Sequence, residues 1–371
     1  MQGAKIAGSR SQTGGSSHVT ALTITENAPL EHYTTLGVGG RARYMAEAAT
    51  EEQILEALDT ASSKGWPVFI LGSGSNVLFS DAGFPGLVLR IVTKGIEVTD
   101  SECLTAAAGE DWDAFVRFSV KRQLAGIECL SGIPGTVGAT PVQNVGAYGQ
   151  EVSDSIRSIW VHDRQTGRIS ELSKPQCGFA YRSSIFSTSM RDRYVILAVT
   201  FELKPGGRPT VVYPDLQRFF GDRAEQATIW AVRQAVLLTR QSKGMLLDSN
   251  DPESRTAGSF FKNPLVAEES LQAAEAAAQR LGLIEASQEM PRYKTADGFY
   301  KIPAAWLIER TGIHKGYGTG HVSVSSRHAL AIITRPGAAA AEVLEFALQI
   351  RARVETVFGI RLELEPVCAG F

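Results

Sequence analysis

Cys129-Leu-Ser-Gly-Ile-Pro-Gly-Thr-Val-Gly-Ala-Thr-Pro-Val-Gln-Asn-Val-Gly-Ala-Tyr-Gly-Gln150 is the longest stretch of the chain with no acidic or basic residue, and it carries five glycines and two prolines. That composition excludes a membrane-spanning helix. An uncharged ribbon suits a surface poorly, and if it is buried its N–H and C=O groups need partners. Two readings meet that need: a large planar cofactor with polar edges and a pyrophosphate, or a packing segment between domains. The cofactor reading is preferred, because buried irregular backbone usually serves a ligand.

Upstream, Thr50-Glu-Glu-Gln53 has the pattern of a helix start, with Ile54, Leu55, Leu58 and Ala61 at helical spacing and Gly65 as a stop. Pro67–Leu71 predicts a buried strand running into Gly72-Ser-Gly-Ser-Asn76, and Leu87–Leu89 a second strand. The glycine loop could cradle phosphate or be a plain tight turn. It does not complete the G-x-G-x-x-G fingerprint, since Val77 stands at the third glycine, and no G-K-[ST] follows. Helices are expected over 111–124, 229–240, 265–281 and 341–358, and strands over 156–162, 194–203 and 360–367.

The 371 residues are enough for two or three domains. A formal charge of -2, with 44% hydrophobic residues, predicts an ordinary packed core and no field drawing nucleic acid or a membrane surface. Four widely spaced cysteines form no C-x-x-C pair, and none of the six histidines has metal-site spacing, so no metal is expected and a reducing cytoplasm suits the chain. Residues 1–19 read as a flexible tail rather than a signal peptide.

Leu71-Gly-Ser-Gly-Ser-Asn-Val-Leu78, then Ser131-Gly-Ile-Pro-Gly-Thr-Val-Gly138 and Gln143-Asn-Val-Gly-Ala-Tyr-Gly149, resembles the UDP-N-acetylenolpyruvoylglucosamine reductase family, FAD enzymes of bacterial peptidoglycan precursor synthesis. The likeness runs from about Thr34 to Gly370. It implies an α+β protein: an FAD-binding fold of the vanillyl-alcohol oxidase (PCMH) type with two α/β subdomains, 20–90 plus 359–371 and 91–240, and a separate α+β substrate-binding domain over 241–358. It further implies NADPH as reductant, a monomer, and UDP-N-acetylglucosamine enolpyruvate as substrate. It also implies hydride transfer from FAD N5 to C3 of the enolpyruvyl group. Cofactor contacts are implied for Gly72, Ser73, Gly74, Ser75, Asn76, Ser131, Gly132, Ile133, Gly138, Ala139, Thr140 and Gly146.

Three short motifs carry the implied chemistry. In Phe179-Ala-Tyr-Arg-Ser-Ser-Ile-Phe186 the likeness makes Arg182 catalytic and Tyr181 a substrate contact, though Ala180 stands where relatives usually have Gly. In Ala257-Gly-Ser-Phe-Phe-Lys-Asn-Pro264 it makes Ser259 the proton donor to C2 and Asn263 a substrate contact, with Lys262 or a water to polarise the hydroxyl. In Glu363-Leu-Glu-Pro-Val367 it makes Glu365 catalytic; the two carboxylates alternate with leucines and are expected on one strand face. By residue chemistry alone a surface ion pair is favoured for Arg182, a helix cap or turn is the commonest use of the Gly-Ser pair at Ser259, and a solvated strand edge accounts equally for the glutamates. Tyr213-Pro-Asp-Leu216 resembles the tyrosine loop of the type I branch, Lys243 matches a diphosphate-binding lysine, and His328 stands near a substrate position, though a satisfied core histidine is an equal reading of it. An oxidase of the same fold would share the glycine elements but not the Ser259, Tyr213 and Glu365 motifs.

Overall fold

The structure is a computed structural model and describes residues 21–371. The tail expected over 1–19 lies outside them. The N-terminal sheet runs in the order Ile24–Pro29, Arg41–Ala48, Phe84–Ile91, Val68–Leu71. Its first pair is antiparallel and the other two are parallel. A parallel neighbour requires a crossover. The helix Glu51–Ser63 provides it, capped by Thr50, whose hydroxyl accepts from the Gln53 N–H at 3.2 Å.

A five-stranded antiparallel sheet follows, in the order Arg168–Ser173, Ile156–Asp163, Tyr194–Glu202, Cys103–Ala107, Ile96–Val98. The helix Trp112–Lys121 lies on it, started by Asp111, which accepts from the Ala114 N–H. Trp112, Phe115 and Phe201 pack together, and the Trp112 indole N–H donates to the Leu130 carbonyl at 3.0 Å. One core holds Ile54 and Leu87 from the first sheet's layer together with Leu104, Trp112 and Phe201, so the packing does not break at residue 90.

The third unit is a small antiparallel sheet, Thr256–Ser259, Ala331–Thr334, Val322–Val324, covered by helices Glu268–Arg280, Ala304–Arg310 and Ala340–Phe358. Its core takes in Leu36, Val38 and Leu78 from the N-terminal part. Asp81 reaches across to cap the longest helix, accepting from the N–H groups of Ala340 and Ala341, each at 2.8 Å.

Three expected elements differ. The helix expected over 111–124 ends at Lys121, because Leu124–Ala125 pairs with Lys204–Pro205. The helix expected over 265–281 begins at Glu268, because Leu265–Val266 pairs with Tyr300–Lys301 instead. The strand expected over 360–367 is replaced by an extended segment with a single bridge, Phe261 to Leu364, and the regular strand is Val367–Ala369. That strand lies parallel to Val77–Phe79.

The ribbon 129–150 is buried or half-buried except at Ala139 and Gly149. Many of its polar groups are answered from within the chain. The Gly132 N–H donates to Asp113 at 2.6 Å, the Ser184 hydroxyl donates to the Val142 carbonyl, and Asn144 donates to the Ala180 carbonyl. Asp113 in turn holds Arg233, which is 4% exposed, by two hydrogen bonds of 2.6 and 2.7 Å. Removing one member of such a pair strands a buried charge. Asp113→Ala is therefore expected to lower unfolding free energy by about 3 kcal/mol, read by urea denaturation; a loss below ~0.5 kcal/mol would mean the pair carries no stability.

Candidate active site

A cleft of about 310 Å³ opens between the end of strand Val68–Leu71, the ribbon and the strand Thr256–Ser259. Gly72, Ser73, Gly74, Ser75 and Asn76 line one wall, and Ile133, Ala139, Thr140 and Gly146 the other. Ser75 joins the two walls, its hydroxyl donating to the Pro134 carbonyl at 2.9 Å. Gly74 has φ +70 and sits so close to the Tyr33 carbonyl that a Cβ would lie 1.8 Å from its oxygen, so only glycine fits.

The end of the cleft gathers the three motif residues. Tyr181 and Arg182 form the tip of a tight turn closed by reciprocal bonds between Ala180 and Ser183. Arg182 holds a left-handed φ of 52. Strain of this kind persists only where surroundings over-determine the residue, and here they do. Arg182 Nε donates to Glu365 Oε1 at 3.1 Å, Nη2 to the Gly146 carbonyl at 2.5 Å and Nη1 to the Asn144 carbonyl at 3.4 Å.

Glu365 is fixed through its backbone. Its N–H donates to the Phe260 carbonyl at 3.0 Å. Its own carbonyl accepts from Gln143 Nε2 at 3.0 Å and Asn76 Nδ2 at 3.3 Å. Burial pushes its carboxyl above the ordinary range, against the opposing pull of Arg182 and Lys262. Glu363 and Glu365 differ in burial: the Glu363 side chain is 75% exposed against 18% for Glu365. Glu363 takes Lys262 at 3.2 Å, so that ammonium is engaged there rather than on Ser259.

Ser259 lines the same cleft. Its strand is bulged between Thr256 and Ser259, at Gly258 with φ +75. A bulge re-aims the side chain that follows. A Cβ at Gly258 would meet nothing within 4 Å, so the open space beside Ser259 is cradle and not packed core.

Ser131, Gly132, Gly138, Tyr181, Tyr213, Lys243, Asn263 and His328 fall outside the cleft lining. Ser131 is fully buried with its hydroxyl on the Glu128 carbonyl, and Gly132 faces Leu237 and Leu246. Gly138 lines an adjoining cavity of about 540 Å³ that shares Gly72, Arg182 and Glu365 with the first. The side-chain amide of Asn76 donates to Gln143 and Glu365 rather than into the open cleft. Tyr181 lies against Asn263, whose side-chain oxygen accepts from the Ala304 N–H. Tyr213 is 41% exposed, edge-on to Tyr148. Lys243 pairs with Asp215 at 2.6 Å.

One lining residue was missed in the sequence. Arg240 is 8% exposed, donates to the carbonyls of Gly132 and Met245, and has no carboxylate ion pair among the described residues. A guanidinium stays charged, so it offers positive potential to a bound anion. Its position on a helix, Ile229–Ser242, gave no signal beyond a single arginine. Glycines that let backbone approach a ligand, an open cradle and a buried unpaired cation all fit a flavin dinucleotide.

The comparisons with known proteins agree with this geometry. Residues 42–173 match the family model of an FAD-binding domain, so the chain contains an FAD-binding domain. Residues 251–369 match the C-terminal domain of UDP-N-acetylenolpyruvoylglucosamine reductase. The reductase of that name from Thermobifida fusca is 45% identical over 94% of this chain and 98% of its own, and the one from Nocardia farcinica 43% identical over 95% and 91%. This chain belongs to the UDP-N-acetylenolpyruvoylglucosamine reductase family. A solved reductase structure from Thermus caldophilus, 24% identical, covers 94% of this chain and 98% of its own with a TM-score of 0.63, which establishes a shared fold.

His328 gives a test of the site's electrostatics. Burial first, then Lys243, Lys315 and Arg240, press its pKa down to about 4 from an ordinary value of 6.5. Between those values the unfolded chain binds the extra proton, so stability falls as pH drops through 6.5 and levels off below about 4. His328→Asn should remove roughly 2–3 kcal/mol of that acid sensitivity, measured by urea unfolding at neutral and mildly acid pH. An unchanged slope would mean the imidazole is not held neutral.

Proposed function

We propose that this chain is an NADPH-dependent reductase converting UDP-N-acetylglucosamine enolpyruvate to UDP-N-acetylmuramate in peptidoglycan precursor synthesis, working as a monomer in the cytoplasm. The observation that carries the reading is the meeting of Arg182, Glu365 and Ser259 at the end of a glycine-lined cleft. We read its FAD-binding part as the vanillyl-alcohol oxidase type, and its tyrosine segment as type I. FAD, when bound in this cleft, supplies hydride chemistry that no side chain can.

The chain's own residues do the rest. Arg182 is a planar fork held by two carbonyls and a carboxylate, so it is oriented before the enolpyruvyl carboxylate arrives. As the double bond is reduced at C3, negative charge builds on that carboxylate, and a pre-aimed guanidinium stabilises it without reorganising. Glu365, with its carboxyl pushed up by burial and bonded to Arg182 Nε, acts at the same charge by a hydrogen bond or as a shared proton. Ser259, lining the same cleft, delivers the proton to C2. Lys243, with Lys315 and Arg240 around a neutral His328, gives the diphosphate a cationic seat. Tyr213 covers the nucleotide sugar, and Tyr181 and Asn263 complete its contacts.

Ser259→Ala should leave flavin reduction by NADPH unchanged and slow reoxidation by the enolpyruvyl substrate by about 100- to 1000-fold, each half-reaction followed by stopped-flow absorbance. Equal slowing of both halves would remove the proton-donor role. Arg182→Lys should cut turnover by about 100-fold or more, since a point charge cannot reproduce a fork that holds a carboxylate and two carbonyls. Near-normal turnover would reject the pairing.

A further inference from the structure

The lysine assigned to the diphosphate is already occupied. Lys243 Nζ donates to Asp215 Oδ2 at 2.6 Å, and the other carboxylate oxygen takes Arg218. Both members of the lysine pair are largely shielded, Asp215 at 19% and Lys243 at 32% exposure. The two sides of the pair differ in how firmly they are held.

Asp215 sits in the first turn of the short helix Pro214–Phe220, anchored by Leu216 at 0% and Phe220 at 8% exposure. Just upstream, Thr210 is fixed three ways. Its N–H donates to the buried Glu128, its hydroxyl accepts from Gln150, and its carbonyl accepts from the Cys129 thiol. The short helix is thus anchored on its buried side and the segment before it at Thr210, with Val212 and Tyr213 exposed between them. Lys243 caps the end of Ile229–Ser242 on a flexible four-carbon stem, with its ammonium 5.7 Å from the Tyr148 ring.

We propose that Asp215 competes with the diphosphate for Lys243, so that an incoming diphosphate must draw the lysine away from this carboxylate. This rests on the reading that Lys243 receives the diphosphate. An ammonium is a compact charge. Two anions that share it stand within a few ångströms of each other and repel. The carboxylate therefore holds affinity for anionic ligands below what the cationic cluster alone would give. Asp215 sets how much the site gains from a ligand's negative charge, and so separates nucleotides by phosphate number.

The test is equilibrium titration of the full-length, FAD-loaded protein with UDP and with uridine. Asp215→Asn should tighten UDP roughly five- to tenfold, the scale of one partly shielded ion pair, and leave uridine unchanged. Asp215→Ser should shift both in the same direction, and it carries the test if the first variant does not retain FAD. Lys243→Met should weaken UDP towards the uridine value. If Lys243→Met weakens UDP while both Asp215 variants leave it unchanged or weaken it, the carboxylate positions the lysine and the competition is overturned, with the diphosphate reading intact. If Lys243→Met leaves UDP unchanged, the diphosphate reading falls and the competition with it.

Discussion

The return of the C-terminal strand onto the N-terminal lobe governs the rest of the structure. Val367–Ala369 pairs with Val77–Phe79, and the Val367 N–H donates to the Asn76 carbonyl at 3.0 Å. Two residues earlier, Glu365 is bonded at its N–H to Phe260 and at its carbonyl to Gln143 and Asn76. One backbone position therefore touches the glycine loop, the uncharged ribbon and the serine strand. Each such bond contributes only about 1 kcal/mol to stability. Their larger effect is geometric, because a catalytic group displaced by about 1 Å loses on the order of 100-fold in rate.

Around that junction the chain separates two jobs. Glycines and uncharged side chains build the cleft's walls, where backbone must come close to a ligand. Charge is kept at defined points and tied down from behind: Arg182 by carbonyls, Arg233 and the Gly132 N–H by Asp113, and Arg240 by the carbonyls of Gly132 and Met245. In a site shielded from water such fixed charges act more strongly than they would in solvent. The ribbon belongs to both readings that its composition allowed: much of its backbone is satisfied by packing, and its open side lines the cleft.

Local patterns were legible in the sequence. Thr50 and Asp111 cap the helices that their positions promised, and Gly359 ends the long amphipathic helix in a left-handed turn. What was not legible joins distant residues. Nothing in the sequence pairs Asp113 with Arg233, 120 positions apart, or Asp81 with a helix start 259 positions on. The difference in burial between Glu363 and Glu365, both expected on one strand face, was not legible either. For Arg182, Ser259 and Glu365, residue chemistry alone left a surface ion pair, a turn and a strand edge open. Only the resemblance of the surrounding motifs singled them out, and the structure then brought all three to one cleft.

The most direct measurement is an anaerobic titration of the purified protein. Reduced by NADPH until its flavin colour is bleached, it is then given UDP-N-acetylglucosamine enolpyruvate in small steps. A return of the oxidised flavin spectrum in proportion to substrate added, one equivalent per chain, is the expected result. A protein that binds no FAD, or whose bleached flavin ignores the enolpyruvyl substrate, would contradict the account.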